Sequence, residues 1–274
     1  MYSMITFTNI GLYGRLSNQM FQYATLLSLS LKRGYNFFIP LHSQHSDTKR
    51  SDYTKENDDY FRFLLTDCFD LKKCNFANYD TNNYTKFYEN NNQYDLSVFD
   101  VPDNTDILGY FCNEVYFKEY KEHVLDEFKF KEVIQQQGNL IINNIKKDLS
   151  LVSLHVRRGD YLRYSDTFDL VDKKYYDTIV YDIIGENNSM VYICSDDIDW
   201  CKKNLQYKNV YYSTHSKYVD LYVQTQSNYN IISNSTFSWW GAYLNKNQIV
   251  FRPQFYLKTN VDPNKFYLPH WIVI

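Results

Sequence analysis

The chain has 274 residues, of which 44% are hydrophobic, so it can bury the core of one large or two medium domains. Its 29 basic and 32 acidic residues give a formal net charge of −3, which argues against nucleic acid as the main partner, because duplex binding relies on many phosphate contacts. No run approaches the roughly 20 apolar residues that a membrane span needs.

The five cysteines show no repeated zinc-ligand spacing, and no basic region followed by a long apolar core marks a secretory signal. Free thiols in a reducing compartment are the simplest interpretation of these cysteines. We therefore expect a soluble, cytoplasmic protein without a membrane span.

The first elements form a strand, a glycine turn and a helix. Residues 4–7 predict a strand, and the helix that follows the turn ends at Lys32-Arg33-Gly34, where cations and a glycine are expected. A glycine turn that opens a helix presents free backbone N–H groups, so Gly14, Asn18 and Gln19 could line a cleft. A plain βα turn is the simpler alternative, and no G-x-G-x-x-G dinucleotide fingerprint is present.

The middle of the chain is less regular. Residues 41–105 are rich in Asp, Asn, Lys and Tyr and predict loops and short helices. Residues 107–111 predict a strand, and 115–128 and 133–145 predict helices. The polar stretch that ends at Ser150 predicts a boundary, which gives two domains, 1–148 and 149–274.

The second half alternates regularly between strands and helices. The predicted strands are 151–156, 190–194, 210–212, 229–232 and 249–251, and the predicted helices between them are 173–184, 198–205 and 218–226. Strands that alternate with helices predict an α/β fold with a doubly wound parallel sheet.

Three polar clusters follow the carboxyl ends of predicted strands. They are His155–Asp160, Ser195–Asp197 and Ser233–Thr236. In open parallel sheets ligands bind along that edge. We therefore expect the three clusters to converge in one crevice.

Arg157 and Arg158 come directly after the apolar strand 151–156. A guanidinium matches phosphate in a two-pronged way, and burying it without a partner is costly. The pair is therefore predicted to bind a diphosphate. The alternative is a salt-bridged arginine pair at the end of a strand.

The other two clusters add donors and acceptors. Ser235 and Thr236, at the start of a helix, can offer hydroxyl and backbone N–H donors to the same diphosphate. Asp196 or Asp197 can accept the paired N–H groups of a guanine edge, and helix capping is the alternative for either one.

Asp196-Asp197 is the one D-x-D-like candidate for a metal site, and its position at a helix cap argues against it. No Ser-His-Asp set, catalytic Cys-His pair or zinc cluster can be assembled from the sequence. A diphosphate site that uses arginines in place of a metal indicates a nucleotide-sugar transferase, in which leaving-group charge is stabilised electrostatically.

Five motifs in the same order resemble those of the α-1,2-fucosyltransferases. They are GRLSNQMFQYA (14–24), GYF (109–111) followed by Tyr116-Phe117, HVRRGDY (155–161), SDDIDWC (195–201) and SNSTFSWWGAYL (233–244). Each motif is weak alone, but together they cover nearly the whole chain. The segment 41–105 matches least, and acceptor choice is expected there.

The resemblance implies a two-lobed, GT-B-like fold of two Rossmann-like lobes, with the acceptor on the N-terminal lobe and GDP-fucose on the C-terminal lobe. It implies GDP-fucose as donor substrate, no metal or other cofactor, and transfer with inversion to the 2-hydroxyl of a terminal galactose or similar sugar.

Carried over residue by residue, the resemblance assigns the β-phosphate to Arg157, and His155 and Arg158 to the shape of that pocket. Ser235 to Phe237 are expected to close over the nucleotide. Asp160 is the candidate base, and an SN1-like path with little base assistance is the alternative.

Three other functions remain possible from the sequence. A transferase of the same fold could use another sugar or make another linkage. A non-catalytic glycan-binding protein would be expected to lose the arginines, which are present. An adhesion protein that displays Arg158-Gly159-Asp160 would need secretion, for which no signal is visible.

Overall fold

The chain folds into two α/β units, Met1–Lys131 and Glu132–Ile274. The structure, a computed structural model, describes residues 3–12, 14–41, 62–90, 94–247, 249–258 and 262–274. Helix Glu132–Lys146 belongs to the second unit, whereas the predicted boundary at 148/149 left it in the first. It does so because Gly138 lies against Tyr222 and Asn139 Oδ1 accepts from the Tyr222 hydroxyl at 3.0 Å.

The first unit is built on a five-stranded parallel sheet of order β3-β2-β1-β5-β4. Its strands are β1 (Met4–Thr6), β2 (Asn36–Pro40), β3 (Phe76–Ala77), β4 (Thr85–Tyr88) and β5 (Thr105–Leu108), and its α-helices are α1 (Leu16–Arg33), α2 (Leu65–Cys68) and α3 (Lys121–Glu127). β3 and β4 lie in the segment predicted as loops and short helices. Strands of two to four residues carry too few positions for periodicity to reveal them.

Helix α1 follows the predicted pattern. Met20, Ala24 and Leu27 are buried, Lys32 and Arg33 lie in its last turn, and Gly34 caps it in the left-handed conformation at φ 67°.

The helix predicted at 115–128 is only partly present. The chain makes two 3-10 turns, Glu114–Tyr116 and Lys118–Tyr120, before α3 begins. The Asn113 side chain accepts from the Val115 N–H at 2.8 Å, and the non-helical φ of −141° at Phe117 separates the two turns. Local side-chain capping therefore replaces one continuous helix with turns.

The second unit carries a six-stranded parallel sheet of order β11-β10-β9-β6-β7-β8, which confirms the doubly wound α/β prediction. In chain order its elements are α4 (Glu132–Lys146), β6 (Ser150–Val156), α5 (Lys173–Asp177), β7 (Ser189–Ser195), α6 (Ile198–Asn204), β8 (Val210–Tyr212), α7 (Lys217–Thr225), β9 (Tyr229–Ile231), α8 (Thr236–Tyr243), β10 (Val250–Arg252) and β11 (Ile272–Val273).

Two details of this unit differ from the prediction. Helix α5 continues as π-helix over Thr178–Ile184 instead of remaining α-helical to its end. β11 follows the strand predicted to be last; it has two residues, again too few for a periodic signal.

The register of the sheet places three strand ends at one level. In β6, Leu154 pairs with Ile231 of β9, and His155 pairs with Cys194 of β7. The loops after β6, β7 and β9 therefore begin side by side at the carboxyl edge of the sheet.

Helix α8 is anchored in the core by its tryptophans. Trp239 and Trp240 are fully buried, and the Trp239 Nε1–H donates to the Phe266 carbonyl at 2.8 Å. These residues hold the helix, so its first turn has a fixed position after β9. No described helix has both the length and the apolar character needed to cross a membrane.

A partly buried carboxyl group lies between β7, β8 and α7. Asp220 accepts hydrogen bonds from the Tyr192 hydroxyl at 2.6 Å and from the Ser213 hydroxyl. Burial raises the pKa of Asp220 to about 6, although these two donors favour the ionised form. The folded protein therefore holds a proton on this carboxyl group more tightly than the unfolded chain does.

We expect Asp220→Asn to reveal this proton as a pH-dependent stability difference. The pKa of Asp220 is about 6 in the folded protein and about 4 in the unfolded chain. The contribution of Asp220 to the free energy of unfolding therefore falls as pH rises through this window. Asparagine keeps an oxygen for Tyr192 and does not ionise. Urea unfolding from about pH 4 to about pH 7 should show the wild type losing stability relative to the variant.

The matched control is Asp182→Asn, because Asp182 is exposed. Its difference from wild type should be flat over the same range. A flat difference for Asp220→Asn as well would contradict the proposed proton uptake.

Candidate active site

The turn after β6 is an ion-pair network centred on Arg157. Its Nη1 lies 3.0 Å from Asp196 Oδ2, and its Nη2 lies 2.6 Å from the Asp160 carboxylate. The face of the guanidinium covers the Tyr161 ring, 5.4 Å from its centroid. The side chain is only 18% exposed, so these partners compensate a charge that is largely withdrawn from water.

Arg158 is held by a second set of partners. Its Nε lies 3.1 Å from Asp197 Oδ2, its guanidinium stacks 4.1 Å from the Trp200 ring centroid, and its backbone N–H donates to Asp196 Oδ1 at 2.9 Å. Both arginines are thus ion-paired, which is the alternative that the sequence leaves open for this stretch.

The charged state of Arg157 is secure. Burial acts against the guanidinium, but Asp196 and Asp160 outweigh it and raise the pKa of Arg157. Arg157 is therefore a permanent cation whose present partners are carboxylates.

Gly159 lets the turn approach the next strand end. A Cβ at this position would stand 2.7 Å from Asp196 Oδ2, inside van der Waals contact. A glycine is needed here because of this close approach, which brings the β6 turn onto Asp196.

His155 is buried beneath the same edge. Its Nδ1 lies 2.9 Å from Ser233 Oγ, and its ring lies 5.2 Å from the Phe237 ring. Burial, with Arg157 nearby, lowers the pKa of His155 to about 3. The imidazole is therefore neutral near pH 7 and links the ends of β6 and β9 through hydrogen bonding.

The two aspartates after β7 have structural partners. Asp197 caps α6, since its Oδ1 accepts from the Trp200 N–H at 3.2 Å. Asp196 binds Arg157 and the Arg158 N–H. The capping alternative therefore describes Asp197, and a guanine edge would have to compete with these contacts at either residue.

The cluster after β9 forms the amino end of α8. Ser235 is its N-cap, and its Oγ accepts from the Phe237 N–H at 3.3 Å. Ser233 and Asn234 are fully buried, whereas Thr236 and Phe237 are partly exposed on the first turn. The positive end of the helix dipole thus lies at the carboxyl edge, next to the ring of His155.

Two residues that hold this arrangement were not predicted. The Tyr161 hydroxyl donates to the Asn234 carbonyl at 2.8 Å, and Asn234 Nδ2 donates to the carbonyls of Asp169 and Tyr256 at 3.0 Å each. The signal in the sequence was their position, with Tyr161 directly after the first polar cluster and Asn234 inside the third, but their partners lie up to 73 residues away.

The three predicted residues of the first unit have different surroundings. A Cβ on Gly14, at φ 88°, would meet the Asn18 side chain at 2.1 Å, so the turn is tight. Both residues are partly exposed. Gln19 is fully buried; its Nε2 donates to the Arg62 carbonyl and its Oε1 accepts from the Leu64 N–H. Gln19 therefore has a structural role, as in the plain βα-turn alternative, because its amide nitrogen and oxygen both hydrogen-bond to the backbone of residues 62–64.

In the part of the chain that the structure describes, no group of three or more His, Cys, Asp or Glu side chains is placed to hold a metal ion. Of the segment 41–105, residues 42–61 and 91–93 lie outside the described residues.

We expect Asp196→Asn to destabilise the fold by about 1–3 kcal/mol, because Arg157 Nη1 loses a charged acceptor in a largely buried site. The amide oxygen can still accept from the Arg158 N–H, so the turn itself should persist. Urea unfolding measures the change. The matched control is Asp199→Asn, whose side chain is 94% exposed; equal effects of the two variants would contradict a central role for Asp196.

Comparisons of sequence place this chain in a known family. Residues 1–274 match the profile of glycosyl transferase family 11. An α-1,2-colitosyltransferase of Escherichia coli is 28% identical over 258 residues, 85% of this chain and 86% of that protein. Galactoside 2-α-L-fucosyltransferase SEC1 of Bos taurus is 26% identical over 289 residues, 97% of this chain and 73% of that protein.

Comparisons of structure agree on the fold. Fucosyltransferase NodZ from Bradyrhizobium superposes with a TM-score of 0.53 at 13% identity, covering 89% of this chain and 92% of that chain. POFUT1 in complex with GDP-fucose gives a TM-score of 0.51 at 13% identity, covering 90% and 94%. The fold is thus the GT-B-like one expected from the resemblance, and the chain belongs to glycosyl transferase family 11 and is a glycosyltransferase.

Proposed function

We propose that the protein transfers L-fucose from GDP-fucose to the 2-hydroxyl of a terminal galactose or similar sugar, with inversion and without a metal. Support comes from the family match and from relatives named as galactoside 2-α-L-fucosyltransferases. The observation that carries the proposal is Arg157, a largely buried cation where the polar loops after β6 and β7 meet, on the strand edge next to the start of α8.

Arg157 is proposed to bind the β-phosphate of the donor. Its two terminal nitrogens are occupied by Asp160 and Asp196. An incoming phosphate that replaces Asp160 at Nη2 keeps the guanidinium charge-compensated while Asp196 continues to orient Nη1. As the bond to the sugar breaks, negative charge grows on that phosphate, and a fixed cation stabilises the transition state more than the ground state.

The first turn of α8 is the second proposed contact to the diphosphate. Backbone N–H groups at a helix start, together with the hydroxyl groups of Ser235 and Thr236, suit a phosphate group. Phe237, partly exposed beside the His155 ring, is proposed to cover the nucleotide. Asn18 and Gly14 are partly exposed, so they remain the candidate substrate-binding residues of the first unit.

His155, Arg158, Asp196 and Asp197 are proposed to shape the donor pocket. A neutral His155 offers a hydrogen bond without adding charge. Arg158 is clamped between Asp197 and the Trp200 ring, which suits it to form a wall of the pocket. Asp196 or Asp197 can bind guanine only if it gives up one of its contacts with Arg157 or Arg158.

Asp160 is proposed as the base that accepts the proton of the acceptor hydroxyl. In the structure its carboxylate is ion-paired with Arg157. Phosphate binding to Arg157 would release it, so donor binding and activation of the base are coupled. An SN1-like path with little base assistance remains the alternative.

Arginine is proposed to supply the positive charge that a divalent cation supplies in other sugar transferases. The permanent charge of Arg157 and its position support this. No cofactor beyond the donor substrate is then required.

The first unit, Met1–Lys131, is proposed to bind most of the acceptor, and the second unit, Glu132–Ile274, is proposed to hold GDP-fucose. The cytoplasm is the proposed location, and the five free cysteines fit a reducing compartment.

A second candidate donor is a nucleotide-linked colitose. The support is specific: an α-1,2-colitosyltransferase is 28% identical to this chain. Parallel assays with both donors and a panel of small glycans, followed by linkage analysis of the products, separate the two.

We expect Arg157→Ala to lower turnover at least about 100-fold when transfer is assayed in EDTA. Arg157→Lys should also be strongly impaired, because a point charge cannot replace a two-pronged guanidinium. This variant keeps the positive charge, so it tests the site even if Arg157→Ala fails to fold. Circular dichroism checks folding, and Arg33→Ala, at an exposed arginine of α1, is the matched control. Turnover near wild type in folded Arg157→Ala would refute the donor-site assignment.

We expect Asp160→Asn to slow transfer without weakening GDP binding, because the variant loses the proton acceptor while it frees Arg157 from a competing carboxylate. Turnover and isothermal titration with GDP measure the two effects. Asp166→Asn, at an exposed residue of the same loop, is the control. Unchanged turnover would remove Asp160 as the base and favour the SN1-like path.

A further inference from the structure

The chain beyond Asp160 continues in helical turns. The N–H groups of Leu162 and Tyr164 donate to the carbonyls of Arg158 and Asp160 at 2.9 and 3.0 Å, and the N–H of Phe168 donates to the carbonyl of Tyr164 at 3.0 Å. A bond from one residue to the fourth before it puts both on one side of a turn. Tyr164 therefore stands on the same side as Asp160, one turn further along.

One side of this turn is packed against the protein, and the other side is exposed to solvent. The rings of Tyr161 and Phe168 stack at 4.0 Å, and the Lys258 N–H donates to the Thr167 carbonyl at 3.0 Å. By contrast, Tyr164 is 54% and Leu162 is 50% exposed. The anchored turn thus presents the Tyr164 ring to solvent, one turn after the candidate base.

We propose that Tyr164 is the platform on which the terminal sugar of the acceptor lies; this rests on the proposed function. The less polar face of a galactose ring packs on an aromatic ring, and the phenol hydroxyl can bond to a sugar hydroxyl. Continuity with Asp160 selects this occupant, because a sugar seated on Tyr164 places its hydroxyl groups next to that carboxylate. Holding the ring there lowers the entropic cost of reaction.

The test compares Tyr164→Ala, Tyr164→Phe and the control Tyr181→Ala, at another exposed tyrosine of the same unit. We expect Tyr164→Ala to raise the KM for a galactose-terminated acceptor about tenfold. The KM for GDP-fucose and its hydrolysis without acceptor should stay within about twofold, because Arg157 is untouched. Tyr164→Phe should keep most of the acceptor affinity, and Tyr181→Ala all of it.

A second readout does not depend on turnover. Saturation-transfer NMR with the acceptor glycan and GDP should show contact to the sugar ring protons in wild type and lose it in Tyr164→Ala. An unchanged acceptor KM in Tyr164→Ala, in a wild type that is active, overturns the platform alone. A wild type that transfers no fucose to any galactoside overturns the proposed function. A dimer that Tyr164→Ala converts to monomer, with acceptor kinetics unchanged, would make the patch an interface between copies.

Discussion

Charge compensation at the carboxyl edge of one sheet is the constraint on which the second unit depends. Two guanidiniums and three carboxylates form three ion pairs of 2.6 to 3.1 Å, and the side chain of Arg157 is only 18% exposed. Removing one member leaves a largely buried charge without its partner, which is costly. In the proposed mechanism a phosphate takes the place of Asp160, so Arg157 remains charge-compensated.

Strand register turns this local network into a site. The ends of β6, β7 and β9 are level, so Arg157, Asp196 and the start of α8 meet although they are far apart in sequence. His155 secures the β6–β9 junction as a neutral hydrogen-bonding group, and Gly159 permits the β6 turn to touch Asp196. Backbone geometry and a few side-chain contacts therefore fix the position of Arg157 at the strand edge.

One short segment links donor and acceptor in our proposals. In these proposals residues 157–160 face the diphosphate, and the next helical turn presents Tyr164 on the side of Asp160. Such a segment would bring the proton acceptor, the leaving-group cation and the acceptor sugar into fixed relation. It also separates two kinds of specificity: the choice between fucose and colitose would be made around the donor, and the exposed turn would contribute to the choice of acceptor.

The sequence by itself determined the alternating α/β pattern, the parallel sheet of the second unit and the convergence of its three polar clusters, because buried strands and strand-end motifs leave strong local signals. The family, too, could be recognised from the ordered motifs. Only the tertiary structure decided that Arg158 contacts Asp197 and Trp200, that the Gln19 amide hydrogen-bonds to the backbone of the first unit, and that His155 is neutral. These facts depend on burial and on partners distant in sequence, as do two-residue strands such as β3 and β11, and no local pattern encodes them.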